Sequence, residues 1–406
     1  DWAEPLTETL QELTDLSGAL KDHICEQPQA AAAVVVEGSS ARKKKRSGSS
    51  GDLSTASSAN NSGAPASINQ ELKLAASLFL CCGTIVKAVG PRALQQLGPL
   101  LDHMLTLMTR EKEALELLSK QVVVTVEEGG NDDDEKESAD GDDTRMAAAS
   151  FKASVLLLRS VLASFVGIVS EIPSFAHPHL RRILSTSLSL RSGLSLSDEE
   201  LGLTSGVASA PWLRSSKNVL VGEIDSCLSV VAEKIPPRLA IPSFLEAAPS
   251  LLSYGHSGAA RLASLLGEVW GSLDRAAILS SMVHNGTLCA YLLDYRRVHG
   301  KNGADSGSLQ VERAVSSAVV SLCLKLTEGE LKALLARLAE WRDSTNVDGE
   351  TEGRDAGAPS LGNTSRGVAY YRFLATLGDK LQALFCPSLG PYWQHIINCL
   401  AALASY

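Results

Sequence analysis

The sequence predicts an all-α chain: an α-solenoid of stacked antiparallel helix pairs with disordered inserts between them. Three observations predict it. Apolar residues recur at three- and four-residue spacing almost from end to end, and no sustained period-two alternation supports a sheet. The chain is 45% hydrophobic but only 5% aromatic, a Leu-, Ala- and Ser-rich palette that suits helices packed on helices. A helix-start signal, proline followed by apolar positions at helical spacing, returns four times. At 406 residues an ordinary single core is outgrown, so the chain holds two or three domains unless it is a repeat array.

The periodicity predicts helices over 2–26, 69–89, 91–109, 111–125, 146–171, 177–189 and 217–235. It continues with helices over 239–254, 258–272, 274–298, 309–326, 328–343, 367–385 and 391–405. The β-branched run VVVTV (122–126) is the one piece that could extend. The strongest helical signal is LCLKLTEGELKALLARLAEW (322–341), with a start signal at Thr327 and an apolar stripe of Leu331, Leu334, Leu335 and Leu338. Its second half is expected to pack on its own hairpin partner, 309–326, and on the next pair.

The four helix-start copies are Pro99 with Leu100 and Leu101, Pro178 with Leu180, Pro242 with Phe244, and Pro391 with Trp393. They lie 79, 64 and 149 residues apart, as inserts and degenerate copies would produce. Proline fits a first helical turn because its missing N–H costs nothing there, so each copy is expected to start the second helix of a hairpin. The expected packing anchors of the repeats are Leu101, Leu180, Phe244, Trp341, Phe385 and Trp393.

Residues 1–26 read as the first helix of the array, 27–68 as a disordered linker, and 69–406 as the solenoid. Its inserts fall at 127–145, 191–215, 299–308 and 344–366, segments too polar or too small-residue-rich to bury enough surface. The chain opens on Asp1 with helical patterns close to both ends, as a piece of a longer protein would.

The net charge of −9 is local: residues 127–143 hold ten acids and one lysine, and the remainder is about neutral. That run reads as a solubilising loop, or as a mimic competing for basic partners. Five consecutive cations, Arg42, Lys43, Lys44, Lys45 and Arg46, sit in the linker. They read as a nuclear import signal, a grip on RNA phosphates, or a solvated charge run. No aromatic residues interleave with them, so sequence-specific RNA reading is not expected.

Eight cysteines occur without a C-x-x-C pair, mostly inside apolar helical runs, and read as reduced, intracellular thiols. No signal peptide is visible, so the N-x-S/T matches at Asn60, Asn285 and Asn363 read as chance. The run 381–406 has no Asp, Glu, Lys or Arg, but Pro387, Gly390 and Pro391 break it. The 15 residues after Pro391 fall short of the roughly 20 that a bilayer requires, so the run reads as a buried helix.

Chemistry is sparse. GHSGA (255–259) resembles a nucleophile elbow around Ser257, but that motif needs a preceding strand and a helix precedes it here. His177 and His179 could suggest a metal, yet no third or fourth ligand stands at usable spacing. No P-loop, Rossmann glycine fingerprint or H-E-x-x-H is present. No enzyme, cofactor, metal or small-molecule substrate is therefore expected.

The hairpin pattern resembles a known family. The motif is a K-L-[ST]-E turn, a helix ending in [DE]-W, a variable insert, then an [FY]-Y helix with K-L-x-x-L-F. Here it reads Lys325-Leu326-Thr327-Glu328, Glu340-Trp341, Tyr370-Tyr371, and Lys380-Leu381 with Leu384-Phe385. It is similar to the C-terminal region of the giant HEAT-repeat subunit of the U3 small nucleolar RNA-associated UTP-A (t-UTP) group of the small-subunit processome. SEIPSFAHPHLRRIL, VVAEKIPPRLAIPSFLEAAPSLL and MVHNGTLCAYLLDYR extend the likeness over about residues 69–400. The long inserts and low aromatic content depart from the family. The resemblance implies a HEAT-repeat solenoid acting as a non-enzymatic nucleolar scaffold in pre-18S rRNA processing, linked to rRNA transcription. It implies as partners the other UTP-A subunits, WD-repeat β-propellers among them, and the pre-rRNA with its U3 particle; no membrane is implied. The rival reading is a karyopherin-like nuclear transport receptor, also built from HEAT pairs.

Overall fold

The computed structural model describes residues 3–26, 64–128, 140–195, 211–295, 306–344 and 361–382, with 385 and 390. Among the described residues there is no strand, and the fold is all-α, of the HEAT-repeat solenoid class. The chain divides into two compact units, Asp1–Lys234 and Ile235–Tyr406. The first holds α1 (Ala3–Glu26), α2 (Ala64–Val89), α3 (Leu94–Glu128), α4 (Asp140–Glu171), α5 (Leu180–Leu194) and α6 (Pro211–Lys234). The second holds α7 (Pro237–Ala247), α8 (Gly255–Ser272), α9 (Met282–Leu293), α10 (Ser306–Cys323), α11 (Glu328–Asp343) and α12 (Leu361–Leu381).

In the first unit the helices form two rows. One row is α1, α3, α5 and the other α2, α4, α6; the pairs α1/α2, α3/α4 and α5/α6 bridge the rows. Within a row the helices run parallel, because contact positions advance together along both partners. Ser17 Oγ meets His103 Nδ1 at 2.9 Å, and Gln96 donates to Gln11 six residues earlier on α1 and seven earlier on α3. On the next step Asp102 pairs with Arg182, and Lys112 donates to Ser189 Oγ at 2.8 Å. Those last contacts span 80 and 77 residues, which brackets the 79-residue interval between Pro99 and Pro178. That interval is a true repeat register.

The second unit follows the same scheme. The row α8, α10, α12 packs on a second row made of α7 with the 3-10 turn Ala248–Tyr254, then α9 and α11. Partners are α9/α10 and α11/α12.

Close approach between row neighbours rests on small residues. A Cβ on Gly83 of α2 would lie 2.7 Å from the Cα of Ser164 on α4, whose hydroxyl donates to the Phe79 carbonyl at 2.6 Å. A Cβ on Gly267 of α8 would lie 3.2 Å from the Cα of Ala318 on α10. Around these seams lie Phe79, Phe151, Phe165 and Trp270, all buried. Two stretches, 68–119 and 145–171, are apolar enough by composition to cross a bilayer. Of their most apolar windows 50% and 67% is buried against neighbouring helices, so packing accounts for much of that apolarity.

Several expectations need correction. The short proline turns join one pair to the next and do not close hairpins. Gly90–Ala93 carries the chain from α2 to α3, and 172–179 from α4 to α5, while the extended surfaces join α1 to α2 and α3 to α4. Likewise α11 packs on α12 and α9, and α10 is not its partner. The inserts therefore lie inside pairs: 27–63, 129–139, 196–210, 296–305 and 345–360 each connect the two helices of one pair. A short link says little about which helix a neighbour packs on, because lengthening a loop raises its closure cost only logarithmically.

Of the prolines, Pro178 does stand just ahead of α5, in the turn His177–His179. Pro99 and Pro242 lie inside α3 and α7, and Pro237 occupies the first position of α7 instead. Helix α3 is continuous through residue 110 and through VVVTV. The expected 274–298 helix breaks at Ser281 into Arg275–Ser280 and α9, and 239–254 ends in a 3-10 turn. The edges of the expected inserts are helical at 64–68, 140–145, 211–215, 306–308 and 361–366. The expected helix 391–405, like the cores of the inserts, lies outside the described residues.

Gly83→Val should destabilise the first unit by about 1–3 kcal/mol, since the obstructing atoms are backbone. Gly222→Ala on α6, where a Cβ meets nothing within 4 Å, should be stabilising by about 0.5–1 kcal/mol. Thermal or urea unfolding of the 406-residue chain checks both signs.

Candidate functional site

Helix α11 begins where the sequence says it should. Thr327 and Glu330 form a reciprocal capping box, with the Thr327 amide donating to Glu330 Oε2 at 2.8 Å. Arg275, on the helical turn before α9, donates to the other oxygen at 2.7 Å. The Arg275 guanidinium first, then the Thr327 amide and hydroxyl, hold the Glu330 carboxyl down at about 2. The cap thus also links α11 to the neighbouring pair.

The other end of α11 is held by two buried arginines. Arg366 of α12 donates from Nε to Asp294 Oδ1 at 2.8 Å, the residue that caps α9. Its Nη1 donates to the Ser344 carbonyl at 2.9 Å and hydroxyl at 3.0 Å, and its guanidinium lies 5.3 Å from the Trp341 ring centre. Arg342 lies 5.1 Å over Tyr370 and 5.7 Å over Tyr371, donates to the Tyr371 hydroxyl at 3.1 Å, and forks onto Asp343 at 2.8 and 2.7 Å. A cation suits a helix C-terminus, where carbonyls lack partners and the macrodipole is negative. Aromatic faces and carboxylates compensate the burial of each guanidinium. The result is a clasp. It ties the last turn of α11 to α12 and α9 at the point where residues 345–360 leave the pair.

A second polar pin lies between α8 and α9. Asn285, wholly buried, accepts from Trp270 Nε1 at 3.1 Å and donates to the Ile278 carbonyl at 3.3 Å and Ser281 Oγ at 3.1 Å. It holds the break at Ser281, and its burial keeps the chance glycosylation match away from solvent.

Of the anchors expected from sequence, Leu101, Leu180 and Phe244 are fully buried, and Phe385 nearly so. Trp341 is half-buried, its ring carrying Arg366. Trp393 and the cations Arg42, Lys43, Lys44, Lys45 and Arg46 lie outside the described residues. Ser257 sits in the first turn of α8 after a 3-10 helix, so the strand that an elbow requires is replaced by helix. Neighbouring His256 is engaged with the Tyr295 hydroxyl at 2.6 Å. The fold brings Asp102 to 3.5 Å from His179, a proximity that chain spacing hides. No three His, Cys, Asp or Glu side chains gather as a metal would need, among the described residues. Cys82, Cys227, Cys289 and Cys323 are buried free thiols, and burial pushes Cys82, Cys227 and Cys323 up to about 12. The sequence expectations missed Arg342, Arg366 and Asn285 because they were drawn from apolar spacing. The signal available for the clasp was a cation in each helix beside the E-W and Y-Y motifs.

Comparison with known proteins bears on the same region. The BP28CT (NUC211) domain matches residues 285–406, which contain every clasp residue. An uncharacterized protein of Arabidopsis thaliana is 23% identical over 334 residues, 82% of this chain and 12% of the relative. The human protein named HEAT repeat-containing protein 1 is 22% identical over 319 residues, 78% of this chain and 12% of that protein. Its Danio rerio namesake is 21% identical over 258 residues, 56% of this chain and 11% of the relative. The chain thus spans about an eighth of the length of these relatives. No solved structure matches.

Arg366→Met should leave the half-buried Asp294 without its cation and the Ser344 carbonyl without its donor, and cost about 3–5 kcal/mol. Faster hydrogen exchange in α11 and α12, with α2 and α4 unchanged, is the expected readout. Phe385→Ala should cost about 3–5 kcal/mol, and Trp341→Ala less because that ring is half exposed.

Proposed function

We propose that the chain is a non-enzymatic scaffold region of a nucleolar ribosome-biogenesis factor, working in the UTP-A group of the small-subunit processome. The observation that carries this reading is the BP28CT match over 285–406, coincident with the clasp, beside similarity to HEAT repeat-containing protein 1 along most of the chain. The resemblance of the K-L-T-E, E-W and Y-Y motifs to the t-UTP family points the same way. In this reading helix pairs offer long exterior faces on which WD-repeat propeller subunits and the pre-rRNA with its U3 particle dock. The work is pre-18S rRNA processing in the nucleolus, with a link to rRNA transcription. The cations Arg42 to Arg46 serve as the nuclear address or as a phosphate contact. Stacked pairs contact only their neighbours, so such a surface can flex during assembly without losing its core.

Replacing the whole protein in cells with a version lacking these 406 residues should cause unprocessed pre-18S rRNA to accumulate, read by northern blot. Normal processing would contradict the proposal.

A further inference from the structure

Two exposed surfaces of the first unit differ in character. Helix α1 in one row presents Glu4, Glu8, Glu12, Asp15 and Asp22. The outer stripe of α2, α4 and α6 presents cations with apolar residues among them. On α4 the exposed stripe is Lys152, Leu156, Arg159 and Ala163, at helical spacing on one side of an otherwise buried helix. Arg159 reaches Glu223 of α6 at 2.7 Å, and Phe151 meets the Trp212 ring at 5.8 Å, so α4 and α6 lie in parallel register. That register sets Leu156, 43% exposed, beside Val219, 46% exposed. Lys152 lies 5.3 Å over the Trp212 ring at one end of the pair, and Arg159 stands at the other. Leu80 of α2, 44% exposed, continues the apolar track about 13 Å further along, with Lys73 and Lys87 on its helix.

Among the described residues, the exposed acids of α4 and α6 that flank this face stand at the helix ends, Glu171 and Glu233, the latter paired with Lys234; between them the carboxylates Glu71, Glu223 and Asp225 are only partly exposed. Glu223 faces Arg159 and Asp225 faces Arg191 at 2.8 Å. Leucine and valine exposed side by side are a cost that a partner would remove, and the cations along the face select an acidic one. A nucleic acid would be served by phosphate-binding cations with exposed aromatics for stacking, and would gain little from Leu80, Leu156 and Val219.

We infer that the outer face of α2, α4 and α6 is a docking surface for an acidic amphipathic helix of a protein partner. Its apolar stripe would lie on Leu156 and Val219 and its carboxylates on Lys152 and the α2 lysines Lys73 and Lys87, with Arg159 shared with Glu223. The inference goes beyond the ribosome-assembly reading and stands on this face alone.

Fluorescence anisotropy tests it with the 406-residue chain and a labelled helical peptide that has a leucine stripe flanked by glutamates. Saturable binding is expected, weakened by added salt. The Leu156→Glu and Val219→Glu variants, with helicity unchanged by circular dichroism, should each bind about tenfold or more weakly. Three results would overturn the inference: equal binding of a scrambled peptide of the same charge, no saturable binding, or wild-type affinity in both variants. So would a single-stranded RNA that binds in preference and displaces the peptide, or self-association in sedimentation that the same variants abolish.

Discussion

Close approach of parallel helices through small residues is the constraint on which the rest of this architecture depends. Where Gly83 faces Ser164 and Gly267 faces Ala318, two backbones come near enough that the leucines and aromatics on either side interlock. The partner helix then has only one place to lie, bridging the two rows. A larger side chain at either glycine would pry the row open and take the shared apolar surface with it. Polar pins finish what the seams begin: Ser164 on the Phe79 carbonyl, Ser17 on His103, and Asn285 between Trp270 and the break at Ser281.

The placement of the inserts reflects the same arrangement. A pair held together along its helices does not need its loop, so 27–63, 129–139 and 345–360 can vary in length and composition at little cost in closure entropy. The links between pairs are different. They set the step from one row to the other, and they are short, proline-bearing or tightly capped. The arginine clasp shows how a pair with a long insert closes at its open end. Arg366 satisfies the carbonyls that end α11 and ties them to Asp294, while Arg342 settles on Tyr370 and Tyr371.

Much of the fold was legible in the sequence, and for identifiable reasons. Helical periodicity located nearly every helix, and Leu331, Leu334, Leu335 and Leu338 form the buried face of α11 as their spacing requires. Thr327 was readable as a start signal because a helix cap is local chemistry, and Glu330 completes the box in the structure. The Pro99–Pro178 interval carried the true register between α3 and α5. What stayed hidden was pairing, since α11 buries the same leucines whether it packs on α10 or on α12. Hidden too was the clasp. A buried arginine carries no mark in a periodicity pattern, and its worth depends on Asp294 and Ser344, which only the folded pair brings near. The likeness to a HEAT-repeat family rested on packing motifs, and three residues of those motifs, Trp341, Tyr370 and Tyr371, carry the arginines of the clasp.

Chemical bridging between helices tests the pairing scheme most directly. Cysteines at Thr287 and Arg337, where the arginine now donates to the threonine hydroxyl at 3.1 Å, should be joined by a short bismaleimide and found together by peptide mass mapping. Cysteines at Ser321 and Ala333, which an α10–α11 hairpin would bring face to face, should stay unbridged. The reverse pattern would mean that neighbours in sequence are partners in space, and the two-row scheme would fail.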